Sequence, residues 1–379
     1  MGVGCVVSLL SLADRPSFCR KKEALSASDL VSTPKDMRAP HIFYGPTTHI
    51  SKILYNFAQQ EHNMEQNRKI IGVGETILDI LFRDGQPVAA VPGGSSFNSI
   101  ISVGRAGVPC TFVGYTGADI VGRQTADFLR RNGVGTEHFQ LREGEKSAVS
   151  LAFLGANGDA SYSFYKEPPH MAPAWSLPQL SQGDVMLYGS YYAACAGMRP
   201  LITELQERAA AAGAIVYYDL NFRPNHRDEL NKLSSAIQEN LRRSTIMRGS
   251  TDDIEVVFAS RDARDIYKRY VGPFCPYFLC TSGAGLISVC TPSGSFDIEA
   301  PRVEKIVSTV GAGDSFNAGF ACALIWEGIR RDDLPALSRD VWQRLVATAC
   351  RFAAETCCSQ ENYIKPHKPH ESNKPHGPH

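Results

Sequence analysis

The chain has 379 residues, of which 43% are hydrophobic and 21% are charged, a composition typical of a globular protein with one large domain or two smaller ones. Its 39 basic residues balance its 39 acidic residues, which excludes a broad basic surface for nucleic acid or anionic lipid. No apolar run is as long as a membrane span requires. The 11 cysteines form no Cys-x-x-Cys pair, so the sequence indicates neither a disulfide framework nor a zinc site and favours a cytoplasmic protein.

The two ends of the chain differ from the rest. Residues 1–63 show no sustained helical or alternating period, and we expect a poorly ordered N-terminal extension, with an ordered regulatory arm as the alternative. Residues 366–379 are rich in Pro, Lys and His and are predicted to form a disordered tail. The folded domain is therefore expected between residues 64 and 365.

Between these ends, short apolar runs alternate with helical patterns. The runs that favour buried strands are 70–73, 184–189, 214–219 and 277–281. One helical pattern spans 198–212 and is followed by Gly213, a residue type that commonly terminates helices. Such alternation predicts an α/β fold in which helices cover a mostly parallel sheet.

Two stretches, 82–92 and 147–165, break this alternation because both favour extended structure. The second has alternating apolar residues on either side of an Asn-Gly-Asp sequence at 157–159, a pattern that predicts a β-hairpin. Together the two stretches predict a small β-sheet that stands apart from the main sheet.

The most informative segment is 308–320, which reads Ser-Thr-Val-Gly-Ala-Gly-Asp-Ser-Phe-Asn-Ala-Gly-Phe. A helical pattern follows its glycines, so the amides of Gly311, Ala312 and Gly313 are expected at a helix N-terminus, where they would form an anion hole for a transferred phosphoryl group. Asp314 is the candidate catalytic base, because its carboxylate stands beside that group and can accept a hydroxyl proton. The alternative is a glycine-rich turn in which Asp314 only caps the helix.

This segment resembles the C-terminal signature of the PfkB (ribokinase-like) carbohydrate kinases, DTxGAGDxFxAG. A second match lies upstream: residues 93–98 read Gly-Gly-Ser-Ser-Phe-Asn, and spaced glycines follow as far as Gly122, similar to the family's N-terminal signature. The resemblance covers about residues 69–365. It implies a ribokinase-like three-layer α/β sandwich with a parallel-rich sheet that carries ATP and Mg²⁺, and a small β-sheet lid over the sugar, formed from the two extended stretches.

The resemblance also assigns residues to the sugar. Residues 74–79 read Gly-Glu-Thr-Ile-Leu-Asp and resemble the GExLID segment of fructokinases, which makes Asp79 a ligand of the sugar hydroxyls. The alternative is an ordinary aspartate at the end of a strand. By the same matches Asn98 contacts the sugar, and Gly93 and Gly94 form the hinge of the lid.

Further matches concern the phosphates and the nucleotide. Arg223 lies in a segment similar to the family's DPNLR and is assigned to the substrate or the transferred phosphoryl group, with a surface position before a turn as the alternative. Asp253 stands where the family has the glutamate of its Asn-x-x-Glu element and is expected to contact Mg²⁺ through water. Ser308 replaces the family's usual aspartate, which weakens the case for a monovalent-cation site. The positions that match the TxGxxG nucleotide loop, its second glycine shifted by one, are Thr281, Gly283 and Gly285.

From these matches we expect ATP-dependent phosphorylation of a sugar hydroxyl, with fructose giving fructose 6-phosphate as the leading reaction. The alternatives are a 2-keto-3-deoxygluconate kinase and a catalytically silent relative that binds sugar or a partner protein. The expected partners are the sugar and ATP, with neither nucleic acid nor membrane. A lid edge often pairs between subunits in this family, which suggests a homodimer.

Overall fold

The computed structural model describes residues 68–154, 160–171 and 174–367. The predicted extension over residues 1–63, the predicted turn at 157–159 and most of the predicted tail over 366–379 lie outside these ranges. Within them, no helix combines the length and the apolar character needed to cross a membrane.

The strands of the described residues form two sheets. In chain order they are β1 (Ile70–Val73), β2 (Ile77–Arg83), β3 (Gln86–Gly93), β4 (Cys110–Gly117), β5 (Phe139–Arg142), β6 (Val149–Leu154), β7 (Ala160–Tyr165), β8 (Val185–Gly189), β9 (Ile215–Asp219), β10 (Ile246–Ser250), β11 (Tyr277–Thr281), β12 (Leu286–Thr291) and β13 (Gly294–Glu299). The larger sheet has the order β13-β12-β11-β10-β9-β8-β1-β4-β5. Its neighbouring strands are parallel except where β12 pairs with β11 and β13, which confirms the predicted parallel-rich sheet.

Helices cover both faces of this sheet. In chain order those of the described residues are α1 (Ser95–Arg105), α2 (Ile120–Arg131), α3 (Ser190–Ala194), α4 (Arg199–Ala212), α5 (Leu230–Arg243), α6 (Thr251–Phe258), α7 (Ala263–Ile266), α8 (Ala312–Trp326) and α9 (Arg339–Cys357). Helices α1, α2, α8 and α9 contribute to one hydrophobic core and α3 to α7 to the other. Strand β1 feeds both, since Ile70 belongs to the first core and Ile71 to the second. The predicted three-layer sandwich is confirmed.

The second sheet is small and has the order β3-β2-β6-β7. Its β2–β3 and β6–β7 pairs are antiparallel, and β2 and β6 run parallel. Strand β2 begins at Ile77, before the predicted extended stretch 82–92, so Asp79 belongs to the small sheet. The small sheet predicted from sequence is therefore present, and it begins earlier in the chain than expected.

The small sheet joins the main sheet at the carboxyl edge of the parallel strands. Three residues separate the end of β1 from the start of β2, and β3 leads through Gly94 directly into α1. Because ligands of open parallel sheets bind outside the carboxyl ends of the strands, this junction is the place to look for a site.

Candidate active site

Helix α8 begins at a glycine that no other residue could replace without strain. Gly311 has φ 79°, in the left-handed region, and a Cβ at this position would collide with the backbone carbonyl of Asn362. Glycine alone tolerates both conditions. The turn into the helix is therefore fixed by this one residue.

The first turn of α8 carries backbone amides that have no acceptor among the described residues. They belong to Gly311, Gly313 and Asp314, whereas the amide of Ala312 donates to the carbonyl of Thr309 at 3.3 Å. Free amides at the positive end of a helix attract anions. Of the predicted anion-hole residues, Gly311 and Gly313 thus keep free amides and Ala312 does not.

The carboxylate of Asp314 lies on this first turn and is 8% exposed. One of its oxygens accepts from the Ser95 hydroxyl and the other from the Asn98 amide, each at 2.9 Å. The Ser99 hydroxyl donates to the Asp314 backbone carbonyl, also at 2.9 Å. Helix α1 therefore fixes both the side chain and the backbone of the predicted base.

Burial raises the pKa of Asp314 above the ordinary value of an aspartate. Hydrogen bonds from Asn98 and Ser95 and the positive charges of Arg223 and Arg248 act in the opposite direction. Proton acceptance benefits from a raised pKa as long as the group is still ionised at the working pH. This environment is therefore compatible with the predicted role.

Asn98, which was predicted to contact the sugar, lies beside the predicted base. Its Nδ2 donates to Asp314, and its Oδ1 is buried without a partner among the described residues. Ser95 and Ser99 were not predicted as site residues, although they follow Gly94 in the glycine-rich segment that opens α1. Their positions one and five residues after that glycine were the only signal in the sequence.

The small sheet presents Asp79 toward this region. The Ser150 hydroxyl of β6 donates to Asp79 Oδ1, and Oδ2 lies 2.7 Å from where a Gly93 Cβ would be. The absence of a side chain at Gly93 thus makes room for the carboxylate. Burial raises the pKa of Asp79, against the effect of the Ser150 hydrogen bond. At Gly94, whose φ is 121°, an added Cβ would collide with the Glu75 carbonyl oxygen.

Arg223 lies four residues after the end of β9, at the carboxyl edge of the main sheet. It is exposed and has no ion-pair or hydrogen-bond partner among the described residues. Burial raises the pKa of Asp314 and that of Tyr162 on β7, and the charge of Arg223 opposes both rises. The charge of Asp79 adds to the rise in the pKa of Tyr162. Arg223 and Asp79 are thus close enough to the same tyrosine to influence it. The structure brings together residues that the sequence predicted separately: Asp79, Asn98, Arg223 and Asp314.

On the other side of Asp314 lies the segment matched to the nucleotide loop. Thr281 ends β11 and is buried, and its hydroxyl accepts from Arg248 at 2.7 Å. Gly283 has φ 52°, and both it and Gly285 are exposed, as a loop that approaches a ligand requires.

The residue expected to contact magnesium has a different visible role. One carboxylate oxygen of Asp253 accepts from the backbone amide and the hydroxyl of Ser250, both at 2.7 Å, and the Ser250 hydroxyl accepts from the Asp253 amide at 3.1 Å. This is a capping box at the start of α6. The described residues contain no group of three or more His, Cys, Asp or Glu side chains able to hold a metal ion. Asp253 therefore offers at most its second oxygen to a hydrated cation.

The family described as pfkB family carbohydrate kinase matches residues 68–362. The chain belongs to this family. It is therefore a carbohydrate kinase of the ribokinase-like fold, as its two sequence signatures predicted.

The curated relatives of this pfkB-family kinase include two substrate types. Aminoimidazole riboside kinase of Salmonella typhimurium is 28% identical over 267 residues, which cover 69% of this chain and 82% of the relative. Probable fructokinase-3 of Arabidopsis thaliana is 27% identical over 261 residues, which cover 65% and 75%. Among solved structures, the fructokinase from Vibrio cholerae with fructose, ADP and calcium superposes with a TM-score of 0.70 at 19% identity, over 78% of this chain and 95% of that one.

Proposed function

We propose that this pfkB-family kinase transfers the terminal phosphoryl group of ATP to the 6-hydroxyl of fructose. The observation that carries the proposal is the position of Asp314: a buried carboxylate on the first turn of α8, beside free helix-terminal amides. The amides suit the phosphoryl group, and the carboxylate suits the proton of the attacking hydroxyl. Fructose leads because Asp79 matches the fructokinase segment and fructokinases recur among the relatives.

The proposed roles divide the site into three parts. Asp314 accepts the proton, and the amides of Gly311 and Gly313 receive the phosphoryl group. Asp79 and Arg223 bind the sugar. Loop residues Thr281 to Gly285 face the nucleotide. Mg²⁺ bound with ATP would neutralise phosphate charge, and Asp253 would hold it through water.

A second candidate substrate is a sugar acid such as 2-keto-3-deoxygluconate. The observation that favours it is a pair of buried donors without acceptors among the described residues, Arg142 Nη2 and Tyr192 OH. Arg142 is stacked on the ring of Tyr115, 3.5 Å from its centroid. Burial raises the pKa of Tyr192 well above its ordinary value, and the charge of Arg142 opposes that rise. A carboxylate is an acceptor of the kind that each of these donors lacks.

A coupled assay of ADP formation separates these substrates. Purified full-length protein with MgATP is supplied with fructose, ribose, 2-keto-3-deoxygluconate and aminoimidazole riboside in turn. Fructose is expected to give the highest kcat/KM. A higher kcat/KM for the keto-acid, lost selectively in Arg142→Gln, would move the assignment to the second candidate; a preference for the riboside would contradict both.

The proposal extends to the location and the oligomeric state of the enzyme. We place the enzyme in the cytoplasm, where ATP and sugars meet. A homodimer formed through the small sheet is supported by the exposed apolar side chains on its strands, which include Phe153, Phe164 and Tyr165.

A further inference from the structure

A buried arginine lies directly behind the predicted anion site. Arg248, in the middle of β10, is 7% exposed. Its Nη1 pairs with Asp219 at 3.1 Å, and its Nη2 donates to the Thr281 hydroxyl at 2.7 Å. The guanidinium thus connects the carboxyl ends of two neighbouring strands, β9 and β11, to the strand between them.

The same guanidinium touches the first turn of α8. A Cβ built on Gly313 would lie 3.1 Å from Arg248 Nη2 and 3.3 Å from Nη1. Gly313 is the residue that precedes Asp314 and carries one of the free amides. Because it has no side chain, the positive charge approaches the helix backbone at van der Waals distance.

Asp219, the ion-pair partner of Arg248, also contacts α8. Asp219 accepts from Asn317 Nδ2 at 2.8 Å, and Asn317 Oδ1 accepts from the Tyr217 hydroxyl at 3.0 Å. Asn317 is fully buried and lies one turn beyond Asp314 on α8. Arg248 therefore holds the start of α8 at two points, directly at Gly313 and through Asp219 at Asn317.

The burial of this ion pair costs solvation free energy, which a purely structural role does not explain. A guanidinium and a carboxylate buried together lose several kcal/mol of solvation each, and well-packed apolar replacements are often equally stable. Arg248 Nε also lacks a partner among the described residues, and burial raises the pKa of Asp219 to about 6 despite the ion pair. The pair is therefore better explained by its effect on the neighbouring site than by a gain in stability.

We propose that Arg248 is a positioning residue for phosphoryl transfer, which fixes the first turn of α8 against the nucleotide loop and holds a permanent positive charge behind the amides that receive the phosphoryl group. It acts through Gly313 and Asp314 and need not touch the substrate. This inference rests on the proposed function of those residues. It concerns a residue outside both signatures, two positions before the Ser250 cap.

Two variants separate this role from a structural one. Arg248→Met combined with Asp219→Asn removes both charges and leaves no buried ion alone, so the midpoint of thermal unfolding is expected to stay within a few degrees. Fixed electrostatic donors at a transferring group are typically worth about 10²–10³ in kcat. We therefore expect kcat to fall by about 100-fold while the calorimetric Kd of ATP and of sugar changes by less than about threefold.

Arg248→Lys keeps the charge but not the two-pronged geometry. It is expected to recover part of the loss, with kcat between those of the wild type and the double variant. The matched control is Arg199→Lys, since Arg199 is also ion-paired, to Glu239 at 2.7 Å, but contacts none of the proposed site residues. That control is expected to keep wild-type kcat.

The outcomes are distinct. A double variant whose kcat stays within about threefold of wild type overturns the inference, as does a loss of kcat matched by an equal loss of substrate binding. The reference reaction uses the sugar that the wild type turns over best. If the wild type turns over no sugar, the proposed function itself is refuted. If the wild type is active and the Arg248 variants have the same kcat, only the role of Arg248 is refuted.

Discussion

Replacing Asp314 by asparagine removes a negative charge and a proton acceptor while keeping the shape of the side chain. The surroundings can accommodate the amide. The Ser95 hydroxyl can accept as well as donate, and the Asn98 amide can rotate to present its Oδ1, which is buried without a partner among the described residues. Both contacts of the carboxylate can therefore be remade in the variant.

The expected stability change is small for a second reason. Burial raises the pKa of Asp314, so the folded protein holds the ionised carboxylate at a cost that a neutral amide does not carry. We expect the thermal midpoint of Asp314→Asn to lie within a few degrees of the wild type. The loss should fall on turnover, by roughly two to four orders of magnitude, the usual contribution of a positioned base. That range corresponds to about 3–5 kcal/mol of transition-state stabilisation.

The assay measures kcat by ADP formation, and the Kd of ATP by calorimetry, for the wild type and Asp314→Asn. Asp262→Asn is the matched control, because Asp262 also lies at a helix N-terminus, where it caps α7 through the amides of Arg264 and Asp265. Asparagine caps equally well, so the control should keep full activity. An Asp314→Asn variant that retains more than about a tenth of wild-type kcat would remove Asp314 from the role of base.

Asp79→Ala should raise the KM for sugar with little change in the KM for ATP, since a lost hydrogen bond to a charged group costs about 1–3 kcal/mol. An unchanged KM for sugar would show that Asp79 does not bind the sugar. Burial raises the pKa of Asp314 and the base must be ionised, so kcat/KM should fall on the acid side at a higher pH than an ordinary aspartate would give. Asn98→Ala removes a hydrogen bond that lowers this pKa and should move the fall to still higher pH. An unchanged pH–rate profile in Asn98→Ala would refute the role of the Asn98–Asp314 hydrogen bond. A chain that begins at Met64 should keep wild-type activity and melt within a few degrees of the full chain, and a larger loss on truncation would make residues 1–63 part of the fold.

The parts of the fold that could be predicted are those with strong local patterns. Strands β9 and β11 are continuous apolar runs, and the expected bounds differ from the observed ones by no more than a residue. Helix α4 ends at Gly213 as expected, with φ 70°. Strand β2 was harder, because it is half-buried along most of its length and apolar at nearly every position. Without alternation, its start at Ile77 could not be recognised.

The site divides in the same way. Gly311 and Asp314 could be predicted because both belong to one short sequence motif. Asn98 was predicted as a sugar contact, but its donation to Asp314 and that of Ser95 could not be predicted, because both residues lie more than 200 residues from Asp314 in the sequence and only the packing of α1 against α8 brings them to it. Arg248 left one signal that could have been used, a charged residue in the middle of an otherwise buried strand.

In the proposed reaction a phosphoryl group passes from ATP to a sugar hydroxyl. The most direct test is phosphorus NMR of the purified full-length protein with MgATP and fructose, followed to completion. We predict equal amounts of ADP and of one sugar monophosphate, with coupling to the protons on carbon 6, and about a hundredth of that product or less with Asp314→Asn over the same time. ADP with inorganic phosphate and no phosphorylated sugar, or no consumption of ATP with any sugar of the panel, would contradict it.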